Sequence, residues 1–430
     1  MTSKLLTGIR VVDMTEVWAG PMGASLLGDL GADVIKVESF PRPSSITRTT
    51  PPAPGGEPDD PPWERIAIHH IANRNKRNLT LNIRTEKGAE ALRRLIASAD
   101  VMVEAYSAGT TERLGFGWDV VRELNDRLVM LSMPGWGTEG PYEGYVTLGS
   151  GLDSTIGHAS LRGYPDRPVE QTPPIFHTDA TGAVSLVSAV LSGLFQRERT
   201  GTGLFIDMSQ AEAFAWQLPG AFGEYALNGR LPERQGNADP HVVPHGCYRA
   251  AGGEATDATS TNLEGARESS WVVIEARTDD QWRGVATALG HPEWAELGHA
   301  WSTVVGRLRA REEIDDELSS YAATDTAENI AAAVAAAGGI AAPVGHNSAF
   351  LTNPQFAERG WLQPIEHRYM GLQLMPGPLW SVAPDQPSFD VPSGLLGEHN
   401  HELLRELDYS AEEIASFESE GIIGNAYPGR

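Results

Sequence analysis

The run Leu6-Thr7-Gly8-Ile9-Arg10-Val11-Val12-Asp13-Met14-Thr15-Glu16-Val17-Trp18-Ala19-Gly20-Pro21, followed by Gly31-Ala32-Asp33-Val34-Ile35-Lys36-Val37-Glu38, decides the fold class. Ile9 to Met14 is a short apolar run bounded by Gly8 and the polar Thr15-Glu16, the pattern of a strand buried on both faces of a parallel sheet. Pro21 suits a first helical turn, Ala24, Leu26, Leu27 and Leu30 supply an apolar face, and Gly31 ends the helix. A second strand then begins at Val34.

The pattern recurs further on. Glu86 to Ala99 reads as a helix with Ala89, Leu92, Leu95 and Ile96 inward, Val101 to Val103 as a strand, and Leu128 to Ser132 as another. Repeated βαβ units with short connections predict a doubly wound, Rossmann-like α/β fold around a parallel sheet. At 430 residues the chain exceeds what one core usually supports. The expected organisation is a large domain over residues 1–228, a Gly-, Pro- and Asn-rich linker over 229–245, a smaller α/β domain over 246–338, and a return segment over 339–430 that completes the large domain. Prolines between Pro41 and Pro62 predict a long surface loop, whose Arg42 and Arg48 suit either a ligand cover or a plain linker. Residues 252–270 read as a polar, exposed insertion. A helix is expected from about Ser209 to Tyr225.

Composition narrows the function. Hydrophobic residues at 41% and charged residues at 21% are ordinary for a globular protein, and no stretch reads as roughly 20 apolar residues in a row, so no membrane partner is expected. The start Met1-Thr2-Ser3-Lys4 has no secretory pattern, which points to the cytoplasm. The single Cys247 excludes an intrachain disulfide framework and any multi-cysteine metal site. A net charge of −24 argues against nucleic acid as a partner.

Asp179, in Thr178-Asp179-Ala180-Thr181-Gly182, opens an apolar helix reading from Ala183 to Phe195. A carboxylate there is often only a first-turn residue stabilised by free N–H groups and the helix dipole. The same position suits a nucleophile that must stay ionised and attack a carbonyl. His241 and His245 have i, i+4 spacing, but Pro244 opposes the helix such a metal pair would use. No metal site is expected. His177 would orient Asp179 or pack nearby.

Several stretches together resemble class III CoA-transferases. They are the opening run, Asn73-Arg74-Asn75-Lys76-Arg77-Asn78-Leu79-Thr80-Leu81-Asn82, Glu112-Arg113-Leu114-Gly115, Asn125-Asp126-Arg127-Leu128-Val129, Gly135-Trp136-Gly137, Pro174 to Gly182 with Gln196 to Gly203, and Gly394-Leu395-Leu396-Gly397-Glu398-His399. The resemblance covers nearly the whole chain except about 252–270. It implies CoA transfer between carboxylic acids, with Asp179 as nucleophile, Val17 and Ala19 against the CoA, and Lys76 and Arg113 at its adenosine or phosphates. It also implies an interlocked homodimer, an acyl-CoA as substrate, and no permanently bound cofactor.

The chain departs from the family at named places. Glu104-Ala105-Tyr106 stands where the family often has Glu-Asn-Phe, which loses an amide and leaves the aromatic Tyr106. Ser39 replaces a common Arg, for which Arg42 or Arg48 would substitute. The glycine run of formyl-CoA transferases is reduced to Gly252-Gly253, which argues against a formyl or oxalyl substrate. Racemases of the same fold use a Gly-His-Asp-type motif; Gly144-Tyr145-Val146-Thr147 has no histidine. A 2-methylacyl-CoA racemase or a non-catalytic CoA-binding protein are the other readings. With so acidic a chain, the few basic residues near the site must set the local field.

Overall fold

The computed structural model describes residues 4–43, 46–53, 55–57, 59–172, 175–251, 271–345, 349–384, 386–388 and 390–428. Gly252-Gly253 and the 252–270 insertion lie outside these residues, as does Pro174. The chain divides into two units: one of residues 1–159, 173–231 and 360–430, the other of 160–172 and 232–359. Part of the stretch expected as a linker, from Pro232 onward, thus belongs to the second unit, as do residues 160–172.

In the first unit, β1 (Arg10–Asp13), β2 (Asp33–Ser39), β3 (Lys76–Leu81), β4 (Val101–Glu104), β5 (Val129–Ser132) and β6 (Leu204–Asp207) form one sheet in the order β3-β2-β1-β4-β5-β6. All five pairings are parallel, with Val12 opposite Ile35 on one side and Met102 on the other. Successive residues of a strand point to opposite faces, and both faces are buried. Val11, Val103 and Leu131 pack under the Ala19–Asp29 and His177–Thr200 helices, with Leu26, Leu27, Leu186 and Val190. Val12, Ile35, Met102 and Met130 pack on the other face with Leu92, Leu95, Leu403, Leu404 and Phe417.

Two glycines allow the first pair of helices to cross closely. A Cβ at Gly23 would stand 2.9 Å from the Ala183 carbonyl oxygen and from Leu186 Cδ1. Gly182, on the facing helix, packs near Ala19 and Met133. The His177–Thr200 helix spans 24 residues and contains an 18-residue stretch with mean hydropathy 1.3, so by length and composition it matches a membrane-crossing segment, contrary to the sequence expectation. Half of that stretch is buried against the rest of the fold.

Three further elements differ from expectation. The helix over 209–225 is two pieces, Gln210–Ala215 and Pro219–Asn228, because proline cannot donate to the preceding turn and disfavours helix at Leu218. The Pro41–Pro62 loop is anchored: Arg48 is buried and pairs with Glu38 at 2.7 Å and Glu64 at 2.8 Å. Finally, within the return segment, for which no strand was expected, β10 (Leu362–His367) and β11 (Gly371–Pro376) form an antiparallel hairpin.

The second unit has a three-stranded antiparallel sheet, β7 (His245–Arg249), β8 (Trp271–Glu275) and β9 (Ile340–Pro343). Its core gathers Val272, Ile274, Trp282, Ile314, Leu318 and Ile330. His245 lies on β7, with Nδ1 2.6 Å from the Asn237 carbonyl oxygen.

Candidate active site

In a sheet of this order the strands change direction of growth between β1 and β4, and ligands bind beyond the carboxyl ends there. The residues at those ends in this chain are Met14 and Glu16 after β1, Ser39 closing β2 with Phe40 to Pro43 after it, Asn82 to Arg84 after β3, and Tyr106 after β4. Together they line a cavity of about 530 Å³.

The loop after β1 is held from below by buried charge. Asp13 is fully buried; its Oδ1 accepts the Thr15 N–H at 2.9 Å and its Oδ2 accepts Lys76 Nζ at 2.8 Å. Lys36 Nζ donates to the Thr15 carbonyl oxygen. Burial alone would raise the Asp13 pKa, but the Lys36 and Lys76 charges outweigh it and hold the carboxyl below its usual value. Lys76 Nζ also donates to the carbonyls of Pro21 and Ala72 and to Asn73 Oδ1, and burial brings its pKa down to about 8. Lys76 therefore ties β3 to the β1 loop with an ammonium turned inward. Above it, Val17 has φ 70°, a left-handed conformation that is strained for a β-branched residue.

That loop leads into the Ala19–Asp29 helix, whose first backbone N–H reaches the nucleophile candidate. Asp179 is the third residue of the His177–Thr200 helix and is 8% exposed. Its carboxylate accepts a hydrogen bond from the Ala19 backbone. Burial, and then the nearby Asp153 carboxylate, push its pKa up to about 6, outweighing the Ala19 bond. Gly149 stands directly against Oδ2, where a Cβ would overlap the carboxylate. Thr178 Oγ1 donates to the Gly149 carbonyl oxygen at 3.0 Å and locks the two segments together. Trp18 and Phe176 meet edge to face, with ring centroids 5.8 Å apart.

The remaining sequence candidates separate. Arg42 and Tyr106 line the cavity, and exposed Arg84 joins them. Arg48 does not: its guanidinium is fully buried on Glu38 and Glu64, so it cannot replace the arginine missing at Ser39. Glu38 also lines the cavity, and Arg48 offsets its charge there. Arg113 is exposed and donates to Thr110 Oγ1 at 2.7 Å. Glu104 ends β4 buried, accepting the Tyr106 N–H at 2.8 Å and the Ser132 hydroxyl; burial lifts its pKa to about 7.

The pattern of CoA-transferase family III, by its description, matches residues 6–400. The chain belongs to CoA-transferase family III. Among its relatives, the formyl-CoA:oxalate CoA-transferase of Streptomyces coelicolor is 30% identical over 98% of this chain and 100% of its own length. The succinyl-CoA–D-citramalate CoA-transferase of Chloroflexus aurantiacus is 28% identical over 97% and 98%. The human succinyl-CoA:glutarate CoA-transferase is 27% identical over 98% and 90%. Among solved structures, a CAIB/BAIF family protein from Brucella suis superposes with TM-score 0.80 at 28% identity, covering 95% of this chain and all of that one.

Within this family III enzyme, three contributors escaped the sequence reading. Arg84 follows β3, a strand not recognised because Lys76, Arg77 and Asn78 break its apolar pattern. Gly149 carries no local signal. Asp153, whose carboxylate acts on Asp179, stands in Gly151-Leu152-Asp153, which carries no local signal either.

Proposed function

We propose that this enzyme moves CoA from an acyl-CoA to a free carboxylic acid through covalent intermediates on Asp179. The Asp179 carboxylate attacks the donor thioester carbonyl and the C–S bond breaks, leaving an acyl-aspartyl anhydride and CoA thiolate. The thiolate attacks the aspartyl carbonyl, releasing the donor acid and leaving an aspartyl-CoA thioester. The acceptor carboxylate attacks that thioester, and the expelled thiolate then takes the acceptor acyl group, restoring Asp179. Thioester energy is conserved at every step, and covalent catalysis divides one difficult exchange into easier ones.

The observation that carries this reading is the pairing of the Asp179 carboxylate with the Ala19 N–H at the mouth of the β1 loop. A preorganised donor there favours negative charge on the reacting oxygens. CoA's phosphates would lie over Arg42 and Arg84, with Tyr106 and Val17 beside the cofactor. Succinyl-CoA and formyl-CoA are the donors to try first, because relatives carry those names. A second copy of the chain, interlocked with the first, would cover Leu191 and Phe195 of the nucleophile helix and Trp216, Phe222 and Leu227 beyond it, all exposed in the single chain.

The test is incubation with a panel of acyl-CoAs and hydroxylamine, then mass spectrometry of the Asp179 peptide. A hydroxamate on Asp179, absent in Asp179→Asn, is expected. An unmodified peptide with every donor, while CoA still binds, would refute the covalent route.

A further inference from the structure

Asp153, His158 and His177 take no part in the steps above, yet the fold gathers them. Asp153, on the Gly149–Thr155 helix, is 1% exposed, and neither carboxylate oxygen has a hydrogen-bond partner among the described residues. His158 Nδ1 stands 3.8 Å from Asp153 Oδ1. His177 opens the nucleophile helix, and its buried Nδ1 is likewise without a hydrogen-bond partner. The two imidazoles lie 5.1 Å apart between centroids, and Phe214 packs on both, at 4.8 and 6.1 Å. One ligand atom from each of the three residues lies within 4.8 Å of the other two.

A carboxylate buried without a donor is costly, and a second one, Asp179, lies close enough to act on it. A cation between Asp153 and the imidazoles relieves both. Two nitrogens and one oxygen are the donor set of zinc, cobalt, nickel and ferrous iron rather than of calcium or magnesium. Around zinc, with bonds of about 2.0–2.1 Å, ligand atoms stand roughly 3.4 Å apart, so the Asp153–His158 spacing needs to close by only a few tenths of an ångström. Three protein ligands leave a coordination position open.

We propose that Asp153, His158 and His177 form a binding site for a zinc-class divalent cation beside the nucleophile. The site goes beyond the transfer chemistry and does not depend on it.

The experiment is titration of the full, chelator-stripped chain with Zn²⁺ and Co²⁺ in the absence of acyl-CoA, so its failure leaves the transfer reading untouched. One equivalent is expected to bind, with visible Co²⁺ absorption bands of a low-coordinate site. X-ray absorption of the zinc form should show two imidazole nitrogens at about 2.0–2.1 Å. Asp153→Asn, His158→Gln and His177→Gln should each weaken binding by more than the roughly 10–100-fold that loss of a mere supporting partner costs. Absence of stoichiometric binding overturns the proposal. So does binding that survives the His158→Gln/His177→Gln double variant, or that disappears only when His241 and His245 are replaced. Should the variants fail to fold, the wild-type X-ray spectrum decides, since fewer than two imidazole ligands is incompatible with the site.

Discussion

Gly149 abuts the Asp179 carboxylate so closely that any side chain at 149 would occupy the position of Oδ2. The contact joins two segments 30 residues apart in sequence, and Thr178 reinforces it through the Gly149 carbonyl. A reacting oxygen is thus held by a glycine on one side and by the Ala19 N–H on the other.

Gly149→Ala is therefore expected to shift the carboxylate off its donor. Displacement of about 1 Å in a reacting group costs on the order of 100-fold in rate. Steady-state kinetics should show kcat falling by about that factor, with the thermal midpoint little changed. A variant with wild-type kcat would show that Gly149 does not position the nucleophile.

Lys76→Met tests where that ammonium works. Removal leaves Asp13 fully buried with one of its two cationic partners gone, a loss on the order of 3–5 kcal/mol. Urea unfolding should show this directly. Unchanged stability with a weakened KM for acyl-CoA would instead place Lys76 on the phosphates.

Arg42→Ala and Arg84→Ala separate binding from chemistry. Both guanidiniums line the cavity and are exposed, and a hydrogen bond to a charged group contributes about 1.5–3 kcal/mol. Each change should raise KM for acyl-CoA by about tenfold at unchanged kcat, the mark of uniform binding. Equal KM in wild type and both variants would place the phosphates elsewhere.

Glu104→Gln should change the pH dependence of stability. Burial raises the folded pKa to about 7, above the unfolded value, so the folded state holds the proton more tightly and the wild type loses stability as pH rises from about 4.5 through 7. Glutamine can still accept the Tyr106 N–H and turn its amide toward the Ser132 hydroxyl. At pH 8 the variant should be more stable by up to about 3.4 kcal/mol, the upper bound set by the rise of the Glu104 pKa to about 7. At pH 4.5 the two should coincide. A constant difference across that range would show that Glu104 does not titrate within it.

The strands that could be read are those whose residues face an apolar layer on both sides. Val11, Val12, Val101 and Val103 carry that signal in their own composition, and Gly31 and Pro21 mark the helix between the first two strands. β3 could not be read this way, because Lys76 and Asn78 are buried through partners distant in sequence, Asp13 and Glu38. Arg48 was misread for the same reason: a loop arginine looks free until Glu38 and Glu64 are folded onto it.

Sequence by itself determined the alternation of strand and helix, the family, and Asp179 as the residue to watch, because periodicity and short motifs act over a few neighbouring positions. Only the tertiary structure decided which charges are consumed internally and which face the cavity, that Gly149 and Ala19 bracket Asp179, and that Asp153, His158 and His177 meet. Those relationships join residues tens of positions apart, and burial, which no local pattern records, sets both their charge and their partners.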